Sequence, residues 1–283
     1  MKNYPEVIEI QFTNICNANC IICPYRSMNY KKEIMTDELF EKFIEDIKGK
    51  PIKRIIPYFN NEPFLDNTFI SKLKRVREAN PEAKVEISTN VVFFTEDKMR
   101  EVLPLDITDI RLSVFGYERE TYQKMMPTAD YDKTFKHLRL ISEIFKGSKT
   151  QISIIMIDNG EIDEQEFVNM EKLAKELGFE FCRWGFLDRA GNVEKYSNDF
   201  YCENVIGCEQ NRPTERMHIL CNGQVVLCCQ DWSASCICGD ISKNTITEVW
   251  NSERYQAIRD SLFDKNKLAP EICRNCKLAI KGD

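Results

Sequence analysis

Three cysteines near the start of the chain, Cys16, Cys20 and Cys23 in the segment CNANCIIC, have a spacing suited to iron–sulfur chemistry. They follow residues 7–12, whose alternating apolar pattern predicts a first strand. Three thiolates hold three irons of a [4Fe–4S] cube, whereas four are needed to saturate it. Because the next cysteine is Cys182, the spacing predicts a cluster with one open iron. A zinc knuckle and an ordinary ferredoxin site are the alternatives.

The elements that must position these cysteines alternate between strand-like and helix-like patterns from residue 6 to about 186. The strand-like segments are residues 7–12, 52–58, 84–88, 107–114, 151–157 and 179–186. Thr36 is expected to cap one helix, and Asp163 with Glu166 to form a capping box on another, which Gly178 ends. This alternation predicts an α/β fold with a parallel sheet, either open or rolled into a partial barrel. A site is then expected at the carboxyl ends of the strands, where CNANCIIC lies.

The pattern changes after about residue 192. Residues 217–228 read as two short strands around Asn222 and Gly223, a strong hairpin signal. A helix-like run over residues 245–263 follows, and then Cys273 and Cys276. We therefore expect two domains, residues 1–200 and 201–283, the second a small hairpin-plus-helix unit that depends on a bound metal.

Polar residues follow the second, third and fourth predicted strands: Asn60, Asn61, Glu62 and Pro63, then Ser88, Thr89 and Asn90, and then Ser113. Together with CNANCIIC they resemble the signature of the radical S-adenosylmethionine (SAM) enzymes, which have Gly-Gly-Glu-Pro after the second strand. The resemblance implies a partial (β/α)6 barrel in which the open iron chelates SAM. It also implies that Asn60 to Pro63 receive the SAM amino group, and that the later residues bind its ribose and carboxylate. Taken singly, each of these residues is equally consistent with a turn or a strand-end cap.

A second group of cysteines lies in the C-terminal part: Cys208, Cys228, Cys273 and Cys276, with Gly223 five residues before Cys228. This pattern resembles the twitch domain, a shortened SPASM extension of radical SAM enzymes. The resemblance implies that the four cysteines hold an auxiliary [4Fe–4S] cluster. Tetrahedral zinc is the alternative that the residues themselves leave open.

Several further residues are candidates for contacts with a substrate. In a family member that dehydrogenates an aminocyclitol, an arginine comparable to Arg189 lies against the substrate hydroxyl, which implies an orienting or alkoxide-stabilising role here; a surface turn is the alternative. The cysteines outside both groups are Cys182, Cys202, Cys221, Cys229, Cys236 and Cys238, and most are expected to be small buried side chains. Cys229, Cys236 and Cys238 are also candidates for completing the auxiliary cluster or for donating a hydrogen atom.

Composition limits the partners. The 283 residues have a net charge of −6 without a basic run, which argues against a nucleic-acid partner. No apolar run is long enough to span a membrane, and the start lacks a signal peptide, so we expect a cytoplasmic protein. Thirteen cysteines and two histidines in such a chain favour metal ligation by thiolates over disulfides or a multi-histidine zinc site.

The resemblance implies a radical SAM oxidoreductase with two [4Fe–4S] clusters, SAM and an external electron donor of the flavodoxin or ferredoxin type. Its expected substrate is a small sugar or aminocyclitol, which it dehydrogenates or epimerises, the auxiliary cluster accepting an electron. A SPASM-type maturase of a peptide or protein side chain is the second hypothesis. It ranks lower because no peptide-recognition domain precedes the first strand. A non-catalytic metal-binding regulator is the third hypothesis, and the SAM-type residues disfavour it.

Overall fold

The computed structural model describes residues 3–28, 31–193, 195 and 200–282. The strands are β1 (Val7–Ile10), β2 (Arg54–Ile56), β3 (Lys84–Thr89), β4 (Asp109–Ser113), β5 (Gln151–Asp158), β6 (Glu180–Gly185), β7 (Val205–Cys208), β8 (Arg216–Ile219), β9 (Gln224–Val226), β10 (Ile237–Asp240) and β11 (Ala279–Lys281). The α-helices are α1 (Asp37–Ile47), α2 (Phe69–Ala79), α3 (Glu96–Val102), α4 (Arg119–Met125), α5 (Tyr131–Ile144), α6 (Glu164–Leu177), α7 (Arg212–Glu215), α8 (Ile246–Trp250), α9 (Glu253–Ser261) and α10 (Glu271–Arg274). Short 3-10 helices occupy Pro24–Arg26, Pro63–Leu65 and Leu103–Leu105.

Strands β1 to β6 are adjacent, parallel and in chain order within a nine-stranded sheet. Helices connect them on the outside, which confirms the predicted α/β fold with the six strands of a partial barrel. The predicted hairpin is also present, as β8 and β9. Strand β8 pairs in parallel with β1, so the C-terminal part of the chain continues the sheet of the barrel. The two-domain division at residue 200 stays a prediction.

Helix boundaries follow local side-chain chemistry. The Thr36 hydroxyl accepts a hydrogen bond from the backbone N–H of Leu39 and caps α1. Asp163 caps α6 by accepting from the N–H of Gln165, and Gly178 ends that helix with φ of 75°. All three boundaries lie where the sequence predicted them.

The predicted capping box at the start of α6 is wrong in its second half. The Glu166 carboxylate turns away from Asp163 and accepts hydrogen bonds from the N–H groups of Tyr117 and Glu118, at 2.6 and 3.0 Å. It also accepts from the Thr121 hydroxyl at 2.7 Å. Glu166 therefore accepts hydrogen bonds from backbone N–H groups just before α4. These contacts join distant parts of the sequence, so the local sequence around α6 does not predict them.

The helix-like run over residues 245–263 is two helices rather than one. Asn251 and Ser252 separate α8 from α9, and the Ser252 hydroxyl accepts a hydrogen bond from the N–H of Tyr255. Ser252 has extended backbone angles, so it ends one helix and caps the next. No helix within the described residues is long and apolar enough to cross a membrane.

Charged side chains lie inside the barrel, where apolar packing is the usual arrangement. In β3, Val85 and Ile87 are fully buried, whereas the alternate residues Glu86 and Ser88 line a cavity. Residues 109 and 111 of β4 share the side of Glu86 in the register of the two strands. The sheet therefore separates an apolar layer under the helices from a polar interior.

Candidate functional site

A cavity of about 340 Å³ lies inside the barrel beneath the CNANCIIC loop. Its wall brings together most of the predicted site residues, which are Cys16, Cys20, Cys23, Asn60, Asn61, Glu62, Ser88, Thr89, Asn90, Ser113, Arg189 and Cys229. Pro63 starts a short 3-10 helix behind this wall. The predicted residues that do not line the cavity also include Cys208, Cys228, Cys236, Cys238, Cys273 and Cys276.

The CNANCIIC loop is fixed to the ends of two neighbouring strands. The backbone carbonyl of Ile15 accepts a hydrogen bond from the N–H of Glu62 at 3.0 Å. The side chain of Asn17 accepts one from the amide of Asn90 at 2.9 Å. The loop therefore meets the residues after β2 and β3, as expected where parallel strands end at one edge.

The three cysteines of the loop form a donor set that suits an iron–sulfur cluster. Burial, and then the charge of Glu62, raises the pKa of Cys16 to about 12. Burial followed by the proximity of Cys23 and Cys16 raises the pKa of Cys20, and burial also raises the pKa of Cys23. Thiolates held together in a buried place need a cationic partner, which the irons of a cluster provide.

The carboxylate of Glu62 is 1% exposed and accepts several hydrogen bonds from the strand-end loops. Its donors are the Thr89 hydroxyl at 2.7 Å, the Asn90 N–H at 2.7 Å and the Phe64 N–H at 3.2 Å. Burial nevertheless raises its pKa to about 7, and the hydrogen bonds oppose this shift. Glu62 thus joins the loops after β2 and β3. It lines the cavity together with Asn60 and Asn61.

The turn after β3 carries backbone strain. Val91, a β-branched residue, has φ of 74° and is completely buried. Its N–H donates to the Thr89 hydroxyl at 3.0 Å, and its carbonyl contacts the His137 ring nitrogen at 3.0 Å. Such strain persists where surrounding contacts fix it, and it is typical of functional sites.

An ion network that the sequence did not predict occupies one side of the barrel interior. The Glu86 carboxylate, 2% exposed, pairs with Arg54 at 2.6 Å and with Arg111 at 2.5 Å. It also accepts a hydrogen bond from the Tyr58 hydroxyl at 2.8 Å. Asp109 pairs with Arg54 at 2.6 Å, so both arginines have carboxylate partners.

A second group of charges, also not predicted, lies on β1 and β8. Glu9 pairs with Arg216 at 2.9 Å, and its carboxylate lies 3.5 Å from the His218 ring nitrogen. Although burial opposes ionisation, His218 and then Arg216 lower the pKa of Glu9 to about 2. Burial also opposes the charged form of His218, but Glu9 and Cys229 raise the pKa of His218 to about 9. The sequence contains one sign of these charges, since Val7–Ile10 and Lys84–Thr89 each have a glutamate between apolar residues. In a strand, such a glutamate faces the side opposite to its apolar neighbours.

The C-terminal cysteines gather outside the barrel. Cys208 ends β7 and pairs with Ala279 of β11, while Cys273 lies in α10. Burial, followed by Cys276, Cys236 and Cys208, raises the pKa of Cys273. Cys276, Cys236 and Cys208 therefore lie within electrostatic reach of Cys273, and the donor set suits a metal cluster for the reason given for the first loop.

Arg212 links this cysteine group to the cavity. Its guanidinium lines the cavity wall and lies 3.9 Å from the sulfur of Cys228. It also acts to lower the pKa of Cys276, against the stronger effect of burial. Cys228 and Cys276 are therefore both within electrostatic reach of one buried cation. Cys236, which the sequence left among the unassigned cysteines, joins this group, whereas Cys229 faces the cavity.

Comparison with known families agrees with this geometry. The profile of the radical SAM superfamily matches residues 10–174, more than half of the chain. The chain belongs to the radical SAM superfamily. A second profile, described as an iron–sulfur cluster-binding domain of the SPASM type, matches residues 208–277. The protein is thus a radical SAM enzyme with a SAM-binding [4Fe–4S] cluster and an auxiliary cluster, as predicted.

Known radical SAM proteins are similar along nearly the whole chain. The S-adenosyl-L-methionine-dependent 2-deoxy-scyllo-inosamine dehydrogenase of Niallia circulans is 20% identical over 274 residues, 96% of this chain and 92% of the relative. The crystal structure of BtrN with AdoMet and 2-DOIA has a TM-score of 0.66 at 17% identity and covers 98% of this chain and 94% of BtrN. Streptococcus suis SuiB bound to the precursor peptide SuiA has a TM-score of 0.74 at 14% identity, covering 96% of this chain and 71% of SuiB. These two likenesses establish the fold.

Proposed function

We propose that this radical SAM enzyme oxidises a small, hydroxylated substrate of the sugar or aminocyclitol type. The observation that supports this most is the polar interior of the barrel beneath the cluster loop, where Glu9, Tyr58, Glu86, Arg111 and Arg216 line the cavity. A substrate with several hydroxyl groups can hydrogen-bond to such a wall, whereas an apolar substrate would exclude water from its polar groups without replacing those hydrogen bonds.

In this proposal Cys16, Cys20 and Cys23 hold the SAM-binding cluster. When bound, the first cluster and SAM would supply radical chemistry at a substrate C–H bond, and the auxiliary cluster would supply an acceptor for an electron. Carbonyl and side-chain oxygens of Asn60 and Asn61 receive the SAM amino group. Glu62 and Pro63 set the shape of that loop. The remaining polar strand-end residues bind the ribose and carboxylate of SAM: Ser88, Thr89, Asn90 and Ser113.

Cys208, Cys228, Cys273 and Cys276 hold the auxiliary cluster in this proposal. The wall residue Arg212 lies against Cys228, so the substrate chamber adjoins the auxiliary site. An external low-potential donor of the flavodoxin or ferredoxin type supplies the first electron. The residues after 200 form the auxiliary domain, although their β8 strand completes one edge of the barrel sheet.

Two side chains are assigned to the substrate itself. Arg189 lines the cavity and acts on Cys23 electrostatically, so it lies near the cluster loop, where it can orient a substrate oxygen. The Cys229 thiol also lines the cavity, beside His218. Cys236 and Cys238 do not line the cavity, so among these three cysteines Cys229 is the candidate hydrogen donor.

Hydrogen donation by the Cys229 thiol distinguishes epimerisation from dehydrogenation. In an epimerisation the thiol S–H bond breaks as a C–H bond forms on the opposite face, and an electron and a proton then restore the thiol. Because thiol protons exchange with solvent, a reaction in D2O would place one deuterium on the inverted carbon. In a dehydrogenation the product is a ketone without solvent deuterium at that carbon.

A peptide or protein maturase is the second candidate. The observation in its favour is the fold similarity to SuiB, which was crystallised with its precursor peptide. The polar lining of the cavity and its volume of about 340 Å³ favour the small substrate instead. The two candidates predict different stimulants of SAM cleavage, either a polyol or a peptide.

The experiment is a screen on the anaerobic, iron-loaded enzyme with SAM and a reductant. Polyols, amino sugars and candidate precursor peptides are compared for 5′-deoxyadenosine formation and for product mass in H2O and D2O. The proposal expects a polyol to accelerate cleavage and to lose two mass units or gain one deuterium. Stimulation by peptides alone would contradict it. Cys229→Ala should abolish deuterium incorporation and leave a dehydrogenation intact.

A further inference from the structure

The cavity wall contains two arginines that lack carboxylate partners. Arg111 and Arg216 on the same wall are neutralised by Glu86 and Glu9. Arg189 and Arg212 also line the cavity, and within the described ranges neither forms an ion pair with a carboxylate. Arg212 lies 3.9 Å from the sulfur of Cys228, a proposed ligand of the auxiliary cluster, so that thiolate offsets part of its charge, but no carboxylate of the described residues neutralises either guanidinium group.

Arg189 and Arg212 converge on one neutral oxygen. With the amide of Gln230 oriented so that its oxygen faces them, it accepts from Arg212 at 2.8 Å and from Arg189 at 3.1 Å. Gln230 is 2% exposed and Arg212 is 9% exposed, whereas Arg189 is half-buried, so solvent reaches this contact only from the side of Arg189. An amide dipole holds the two cations in place but does not neutralise them.

Further donors on the same part of the wall lack acceptors. The Nε atoms of Arg212 and Arg216 are buried and have no hydrogen-bond partner among the described residues. Glu9 acts on Arg212 as well, yet its carboxylate is already paired with Arg216 and His218. Asp188, the buried carboxylate next to Arg189, pairs with Lys277 at 3.8 Å, so no carboxylate of the described residues is left to pair with Arg189 or Arg212.

The backbone at Arg189 is strained in a way that fixes this arrangement. Arg189 and Ala190 have φ of 56° and 54°, and Gly191 follows with φ of 83°. Left-handed conformations at non-glycine residues are strained and persist where function or surrounding contacts hold them. The Asn192 amide donates to the Arg189 carbonyl at 2.6 Å and stabilises the turn.

We propose that Arg189 and Arg212 form a binding site for an oxyanion of the substrate, a carboxylate or a phosphate. The inference rests on the proposed function and narrows its substrate class from neutral or amino-bearing polyols to acidic ones. Two guanidinium groups offer parallel N–H donors to the oxygens of one anion, a geometry suited to both chemistries. An amine-bearing substrate would bring a third cation to the same place.

Calorimetric binding to the anaerobic holoenzyme with SAM tests this directly. The probes are glucose, glucuronate and glucose 6-phosphate, together with inorganic phosphate and acetate as minimal anions. We expect the anionic sugars to bind at least about tenfold more tightly than glucose. A preference for glucose 6-phosphate over glucuronate identifies phosphate as the recognised group, and the reverse identifies carboxylate.

Matched variants complete the test. Arg189→Gln and Arg212→Gln should each weaken binding of the anionic sugar by about tenfold and of glucose by less than twofold. Arg100→Gln, an exposed arginine paired with Glu96, should change neither affinity. Iron content is measured for every variant, so that cluster loss in Arg212→Gln is seen separately and the decision rests on Arg189→Gln.

Three results would each overturn the oxyanion site. They are equal affinity for charged and neutral sugars, no binding of any anion, and an unchanged affinity of Arg189→Gln for the anionic sugar. The proposed oxidation fails differently, because it requires that substrates accelerate SAM cleavage. Tight, arginine-dependent anion binding without any such acceleration would retain the oxyanion site and reject the proposed reaction.

Discussion

The Glu62 carboxylate accepts a hydrogen bond from the backbone N–H of Asn90 at 2.7 Å, across the gap between the ends of β2 and β3. Both residues also contact the cluster loop, since Glu62 donates to the Ile15 carbonyl and Asn90 to the Asn17 side chain. One carboxylate thereby couples the two strand-end loops that are proposed to bind SAM. A local turn motif does not require this long-range contact.

Glu62→Gln should weaken SAM binding because the amide offers one acceptor oxygen in place of two. Its NH2 group would face the donor N–H of Asn90 or the hydroxyl of Thr89. Leaving a buried donor unsatisfied costs about 1–3 kcal/mol, which corresponds to roughly a tenfold or larger loss of affinity if it falls on the bound loop. Equilibrium dialysis with SAM on the iron-loaded protein measures it. Glu96→Gln, an exposed carboxylate, is the control, and equal affinities would contradict the role of Glu62.

Stability should fall between about pH 6.5 and 9 because of His218. Its pKa in the folded protein is about 9, above its ordinary value of 6.5. Protonated His218 therefore stabilises the fold fully below pH 6.5, and this contribution disappears as the pH rises through 9. Glu9, with a pKa of about 2, stays ionised throughout, and the pKa of Cys229 lies well above its ordinary value.

The size of the effect is about 3 kcal/mol from the shift in pKa. Anaerobic urea unfolding at pH 6.5 and pH 9 measures it in wild type and in His218→Gln. The wild-type midpoint should drop more between these pH values than that of the variant. Parallel pH profiles of the two proteins would rule out the ionised Glu9–His218 pair.

Glu86→Gln should destabilise the barrel by about 3 kcal/mol, because Arg111 loses its carboxylate in a buried place. Arg54 keeps Asp109, which limits the loss. Asp109→Asn is the matched variant and should cost less, since Glu86 remains to pair with both arginines. Urea midpoints give the comparison. An equal loss in both variants would mean that Glu86 is not the centre of the network.

The cysteines proposed for the auxiliary cluster should differ from their neighbours in iron binding. Cys276→Ser should lower iron content by about four atoms per chain, since one thiolate ligand of a four-cysteine site is lost. Cys238→Ser, in β10, should retain the iron, because Cys238 lies outside the four-cysteine motif. Iron and sulfide counts decide this. Cys236→Ser, at a residue close to Cys273, shows whether that thiol is an additional ligand.

Most of the predictions that proved correct rest on local sequence motifs. CNANCIIC, the polar strand ends and the Asn222–Gly223 hairpin are each specified within a few residues, so their fold can be predicted from the sequence. The six parallel strands followed from the same short-range alternation. The run 245–263 failed as a single helix because Ser252 prefers to cap, and one such residue decides between one helix and two.

The charges inside the barrel could not be predicted because their partners are distant in the sequence. Arg216 and Glu9 are 207 residues apart and meet only because β8 pairs with β1 in one register. A shift by one residue would turn both side chains to the opposite face. Gln230 and Arg189 meet in the same way, through the packing of two loops that carry no motif.

Iron counting combined with SAM cleavage tests the central claim most directly. Anaerobic wild type is compared with the Cys16→Ala, Cys20→Ala, Cys23→Ala triple variant for iron, sulfide and 5′-deoxyadenosine formed with a reductant. Two separate clusters with SAM on the first predict about eight irons in wild type and about four in the variant, with cleavage abolished. About four irons in wild type, all lost in the variant, would contradict an auxiliary cluster on the C-terminal cysteines.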